Sequence, residues 1–485
     1  MTIGDEDVLD RPPADTAADS AADSLGPAGP RTSFRRRRDV VAAALIAVAA
    51  LVGGLLLWQH SDSRATTAEP ASEPLTTPES PATFPPSLGE AWRARSSATP
   101  QPVVAGPAVV TGDNTDAGGG VAGRDPLTGE VRWRYARDLP LCTVASSWSM
   151  AVTVFETSGN LLPDKDPRAT GGCSEFTSLD PATGRLGRQT KPGEKRPDKP
   201  DSGQRNSDAE LGTRLLTDGS FLTTTGTKLL TTLRSDLVRT IEFGAVPAIQ
   251  NPNKQPRVGC EFRTVAVTTG KIGVIERCPD DPSDRLTVYK ALGASENGGG
   301  NDDEKPDVVS SVVVGDDATL VALSEQCRVQ VPGAADAIQQ CSAVVLPNPD
   351  RLVVFGEKGG QLAVHPLGDL GSDSGDLRAK PVGHTVETNK VTGSVYWFTG
   401  SRTIALSLSD FSPRWTVEGA LGPGTAFAGK ILVPVRDGLR VLDPVSGAVV
   451  GTLPVDRGDY TGQVTMSAIG PMVLEQRGDL LVALR

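Results

Sequence analysis

Three pentapeptides constrain this chain more than any other feature: Asp125-Pro-Leu-Thr-Gly129, Asp180-Pro-Ala-Thr-Gly184 and Asp443-Pro-Val-Ser-Gly447. Each ends one short apolar run and precedes another. Proline presets φ at the first turn position, the Asp carboxylate caps the following amides, and glycine takes the φ > 0 position that closes a hairpin. The first copy continues as Glu-Val-Arg-Trp133-Arg-Tyr135, an alternating strand with its aromatics on one face. With 53 glycines and 38 prolines in 485 residues, one such match would be weak. Three in the same strand–turn–strand setting are the mark of a repeated β-unit that buries its apolar face by stacking on copies of itself.

The composition agrees. Aromatic residues make up only 4%, helix-period apolar stripes are scarce outside one segment, and runs of Val, Thr, Leu and Gly recur. The fold class expected is all-β: an eight-bladed β-propeller of four-stranded antiparallel blades, with seven blades the alternative count. Eight units can be laid out at 101–136, 139–190 (widened by an insertion at 158–172), 209–245, 257–313, 315–380, 383–418, 421–455 and 461–485. Units four and five are the ambiguous ones. The last unit is one strand short, and Ala91-Trp92-Arg-Ala94 resembles the missing strand. Pairing it with the final unit would close the ring, since an open ring leaves an unpaired sheet edge. The stretches 191–208 and 293–306 lack periodicity and are expected as surface loops.

Upstream of the repeats, three segments follow from composition. Residues 1–38 are expected as a disordered cytoplasmic tail, acidic at first and then arginine-rich at Arg31 and Arg35–Arg38. Residues 39–59 are expected as a single transmembrane helix. Val40–Trp58 is an uncharged run of 19 residues, close to the ~20 a spanning helix needs. The arginine excess on its N-terminal side puts the tail inside and the bulk outside. A cleaved signal peptide is the rival, but its n-region would be unusually long. Residues 60–87, rich in Ser, Thr and Pro, are expected as an extended linker. Residues 88–485 are the propeller ectodomain. The net charge is −11 and the ectodomain has no Lys/Arg stripe, which argues against nucleic acid as a partner.

All six cysteines, Cys142, Cys173, Cys260, Cys278, Cys327 and Cys341, lie beyond the apolar run. An even count confined to the exported part suggests disulfides. Unit membership pairs them sequentially: 142 with 173, 260 with 278, 327 with 341. Metal binding is the rival, yet no Cys-x-x-Cys exists and the chain has only His60, His365 and His384. No Gly-rich phosphate loop or Gly-x-Ser-x-Gly elbow is present. The carboxylate clusters Asp113–Asp116, Asp280–Asp284 and Asp302–Glu304 do not fit a calcium loop and are expected as solvated turns.

The pattern Asp-x-x-Thr-Gly-x-x-x-Trp over 125–133 resembles the repeat of the PQQ-like (quinoprotein-type) β-propellers, and the resemblance covers most of 91–485. Quinone-dependent dehydrogenases of that superfamily use an adjacent Cys-Cys pair, a stacking Trp, and calcium held by acidic residues with a catalytic Asp. This sequence has no adjacent cysteines, and its tryptophans fall in blade turns or outer strands. The resemblance therefore implies the non-enzymatic branch, typified by the lipoprotein scaffold of the outer-membrane β-barrel assembly machine. The order of tail, arginine cluster, anchor and propeller resembles actinobacterial membrane-anchored members. The expectation is a non-catalytic interaction scaffold in the cell membrane, with no cofactor and no metal, facing an envelope protein partner outside the cytoplasm. A small-ligand, lipid or glycan sensor using the channel is the alternative, and a quinoprotein-type enzyme ranks below it.

Overall fold

The computed structural model describes residues 37–59, 65–157, 172–187, 202–246, 258–292, 307–329, 337–368, 370, 386–389 and 392–485. The expected tail (all but its last two residues), the insertion at 158–172 (all but Gly172), the loop 293–306, Asp302–Glu304, His60 and His384 lie outside these residues. The chain divides into two compact units, 1–64 and 65–485.

In the first unit, Arg37–Gln59 is an α-helix. Its apolar side chains are exposed, Ile46 and Leu51 at 70% and 73%. Among the described residues no helix is long and apolar enough to cross a membrane. The single transmembrane helix expected at 39–59 is therefore not supported among the described residues.

In the second unit, eight antiparallel sheets form among the described residues. In chain order the blades cover 103–137, 141–204, 216–244, 261–315, 319–366, 386–418, 425–454 and 464–484. The count is eight, not seven. Blade 8 takes its outer strand from Glu90–Arg95, in the register Trp92↔Ala483, Arg93↔Val482 and Ala94↔Leu481. The closing strand and the C-terminal strand thus meet in one sheet, with Gly89 and Arg485 exchanging backbone hydrogen bonds of 2.8 Å. The outer strand of blade 2 is Ser202–Gln204, paired with Glu175–Thr177. That strand lies inside the stretch expected as a loop. Polar, short and without alternation, it carries no strand signal, and pairing with its buried neighbour supplies the stability.

Among the described residues the core consists of eight apolar clusters, each joining one pair of adjacent blades. One of them packs Leu474 and Leu481 of blade 8 against Val109 of blade 1, so the ring has no open side. Burying apolar side chains between sheets, at ~25 cal/mol per Å², is what orders otherwise separate hairpins.

The Asp-Pro turns add a specific lock. Gly129, Gly184 and Gly447 hold φ of +73°, +72° and +69°. A Cβ on Gly129 or Gly184 would stand 2.6 Å from the ring of Trp92 or Trp133. Each tryptophan is on the outer strand of the preceding blade, so the indole packs against the next blade's turn. Trp92 Nε1 donates to Pro126 O at 2.8 Å and Trp133 Nε1 to Pro181 O at 2.9 Å. Trp415 packs on Gly447 in the same way, but its buried Nε1 has no acceptor among the described residues. Trp397, by contrast, is a buried core residue on the second strand of blade 6.

The segment expected as a free linker is in fact packed from Thr66 onward. Thr66–Glu69 adds a fifth strand to blade 1 beside Arg134–Arg137. Ala71 N and Leu75 N donate to Thr183 O and Ala182 O at 2.9 and 3.0 Å. Ala71 and Leu75 are buried between blades 1 and 2, and Leu88 between blades 7 and 8. Phe84 meets Phe427 edge to face at 6.1 Å. A Pro/Ser/Thr composition hides this because one apolar residue every few positions suffices, while proline keeps the backbone extended at low entropic cost.

Trp133→Phe should lower unfolding free energy by about 1 kcal/mol more than Trp415→Phe, since only the former loses a buried indole hydrogen bond. Urea denaturation of the two variants measures this.

Candidate functional site

The blade topology sorts the loops onto two faces. One face carries the turns between first and second strands and those between third and fourth, the Asp-Pro turns among them. There Asp125 accepts amides of Leu127 and Thr128 at 2.9 and 3.2 Å. Asp180 accepts those of Ala182 and Thr183 at 3.0 and 2.9 Å. Asp443 accepts the amide and hydroxyl of Ser446, both at 2.9 Å, and these hold its carboxyl below the usual range. The strap 66–88 runs along this face, over the turns of blades 2, 7 and 8.

The opposite face carries the turns between second and third strands and the blade-to-blade connections. Asp316, Asp317, Asp437, Asp456, Asp459 and Asp479 are exposed there, and the exposed basic residues of its described loops are Lys228 and Arg436. Beneath this acidic rim lie buried ionic groups. Glu475, fully buried on the second strand of blade 8, accepts from Arg457 Nη2 at 2.6 Å and Nε at 3.0 Å and from Arg477 Nε at 2.8 Å. Arg457 also donates to Val435 O and Gly438 O at 2.7 and 3.0 Å, binding blade 7 to blade 8. Next to it, Gln476 Nε2 donates to Ser96 O at 2.9 Å, holding the connection that follows the closing strand.

The carboxylates expected as solvated turns divide. Asp113 faces solvent in part and takes Arg95 Nε at 3.1 Å. Asp281 pairs with Arg285 Nε at 2.9 Å. Asp284 is fully buried. It accepts Ala318 N at 2.9 Å and lies 2.6 Å from Arg277 Nε, linking blades 4 and 5. In the blade 2–3 connection, burial raises the Asp208 carboxyl above its usual range, against the opposing amides of Lys228 and Gly226.

Three disulfides join Cys142–Cys173, Cys260–Cys278 and Cys327–Cys341. Donor atoms of Cys260, Glu276 and Cys278 lie within 4.8 Å of one another and are all buried. With the two sulfurs bonded to each other, this set offers no thiolate. His365 sits on the outer strand of blade 5.

Two of these features escape a sequence reading, the Arg457–Glu475–Arg477 cluster and the Cys–Glu–Cys corner. Both carry a faint signal: an apolar second strand that ends in Glu, as Val-Ile-Glu276-Arg and Val-Leu-Glu475-Gln-Arg.

No family model matches the chain, and no curated protein matches it. Among solved structures, Sqt1 of Saccharomyces cerevisiae is similar at 9% identity and TM-score 0.42, over 85% of this chain and 98% of that one. The Dos1 propeller is similar at 8% identity and TM-score 0.44, over 82% and 94%. KlHsv2 with loop 6CD replaced by a Gly-Ser linker is similar at 9% identity and TM-score 0.34, over 70% and 90%. Likenesses of this size carry no functional argument, and the blade count rests on the sheets themselves.

Glu475→Gln should cost about 3–5 kcal/mol of stability, because it strands two buried guanidinium groups. Denaturant unfolding of the variant reads the loss.

Proposed function

We propose that this chain is a non-catalytic interaction scaffold, held at a membrane by its N-terminal apolar helix with the propeller outside the cytoplasm. The observation that carries the scaffold reading is the unequal use of the two faces. One is covered in part by the chain's own strap, and the other presents an acidic rim on a framework locked from beneath. Propellers lend themselves to this, because a rigid ring supports loops whose chemistry varies independently of the fold. The partner that fits is a cell-envelope protein with a basic surface, met through complementary charge.

The membrane part rests on the uncharged run Val40–Trp58 and the arginines before it. Three disulfides are compatible with an oxidising compartment. The Trp-on-turn locks at Gly129, Gly184 and Gly447 support placing the repeats with the PQQ-like type. These tryptophans are committed to holding blades together, which favours a scaffold over a quinone enzyme.

In-cell crosslinking and affinity recovery of the anchored protein tests the reading. A specific envelope protein should co-purify, release as salt rises, and be lost with the triple variant Asp437→Lys, Asp459→Lys, Asp479→Lys. Recovery undiminished by the triple variant would exclude the acidic face, and recovery of no specific protein would exclude the scaffold.

A further inference from the structure

We propose that reduction of Cys260–Cys278 converts this corner of blade 4 into a metal site, in which the two thiolates and the Glu276 carboxylate bind a divalent, sulfur-seeking ion of the zinc class. The inference is independent of the scaffold and membrane readings.

The ligands are already assembled. Cys260 ends the connection from blade 3, just before the first strand at Glu261–Thr268. Glu276 lies near the end of the second strand, Lys271–Arg277, and Cys278 follows that strand by one residue. Glu276 and Cys278 are two positions apart in extended chain, so their side chains leave the same face. The three donor atoms lie within 4.8 Å of one another, and Cys278 Sγ is 3.9 Å from Glu276 Oε2. Tetrahedral zinc, with Zn–S near ~2.3 Å and Zn–O near ~2.0 Å, needs ligand atoms roughly 3.5–3.8 Å apart. Once the sulfur–sulfur bond opens, small side-chain rotations reach that spacing. The Tyr289 hydroxyl, on the third strand, donates to the other oxygen of Glu276. Such an outer-shell bond fixes the orientation of a ligating carboxylate.

The charge balance also favours it. Glu276 and Tyr289 are fully buried, and Cys260 and Cys278 nearly so. A divalent ion and two thiolates sum to zero, so the pocket takes up the metal without adding net charge to a low-dielectric site. The chemistry balances in two steps. A dithiol reductant gives two electrons and two protons to the disulfide and becomes a disulfide itself. The metal then binds both sulfurs, and the two thiol protons leave to solvent. Reduction would thus exchange one cross-link for another, and blade 4 stays pinned between its first two strands.

The test is thiol protection in the full chain. The protein is reduced under native conditions with a water-soluble phosphine, which adds no competing thiol. It is then alkylated with and without zinc(II) alone, and each cysteine is mapped by mass spectrometry. Zinc should slow labelling of Cys260 and Cys278 at least roughly tenfold and leave the other four cysteines unchanged. Tyr289→Phe should weaken zinc roughly tenfold, and Glu276→Gln should weaken it more. Cobalt(II) in place of zinc should give thiolate-to-cobalt charge-transfer absorption in the reduced protein and none in the oxidised one. Equal labelling of Cys260 and Cys278 with and without zinc, equal protection of all six cysteines, or a cobalt spectrum without thiolate bands would each overturn the site. Circular dichroism of each variant before reduction separates ligand loss from loss of fold.

Discussion

An antiparallel blade leaves both of its sheet faces bare, and both are covered here by closing the ring. The closing contact is the pairing of Glu90–Arg95 with Leu480–Leu484. Through it the last sheet gains its outer strand, the cluster between blades 8 and 1 forms, and the other seven clusters lie between fixed neighbours. Because the pairing joins residues almost 400 positions apart, its loop-closure entropy is high. The seam must therefore be stabilised by interactions beyond strand pairing.

Those interactions are concentrated there. Trp92 locks blade 8 onto the turn of blade 1, and Trp133 locks blade 1 onto that of blade 2. The strap ties blades 1 and 2 to blades 7 and 8 on one face. The Arg457–Glu475–Arg477 cluster and Gln476 fasten the same seam on the other. Away from the seam the stabilising device changes. Blades 4 and 5 lack the Asp-Pro-x-Thr/Ser-Gly pentapeptide, and each carries a disulfide, as blade 2 does beside its Asp180 turn. Closing short loops of this kind contributes ~2–4 kcal/mol each.

The parts of this design with strong local chemistry were legible in the sequence. The Asp-Pro-x-Thr/Ser-Gly turns and the aromatic strand after the first of them mark the blades. The strand deficit at 461–485 points to Ala91–Ala94 as its complement, and cysteine position within units gives the pairing found. What escaped is what depends on tertiary contact. Ser202–Gln204 becomes a strand only because Glu175–Thr177 is beside it. The strap looks like a linker because its anchors, Ala71, Leu75, Phe84 and Leu88, are too sparse to form a period. Glu475 and Asp284 read as ordinary surface carboxylates until their arginine partners, from separate loops and strands, are brought against them. The acidic face is invisible along the chain, since its residues come from connections spread over hundreds of positions.

The ring thus explains how residues 65–485 build one compact unit with one loop face left clear of the strap at 66–88. Hydrogen exchange across Leu480–Leu484 tests this account most directly, comparing the intact chain with one that lacks residues 65–95. These amides should be strongly protected in the intact chain and exchange at loop-like rates without the strap and closing strand. Equal protection in both would contradict closure through the N-terminal strand.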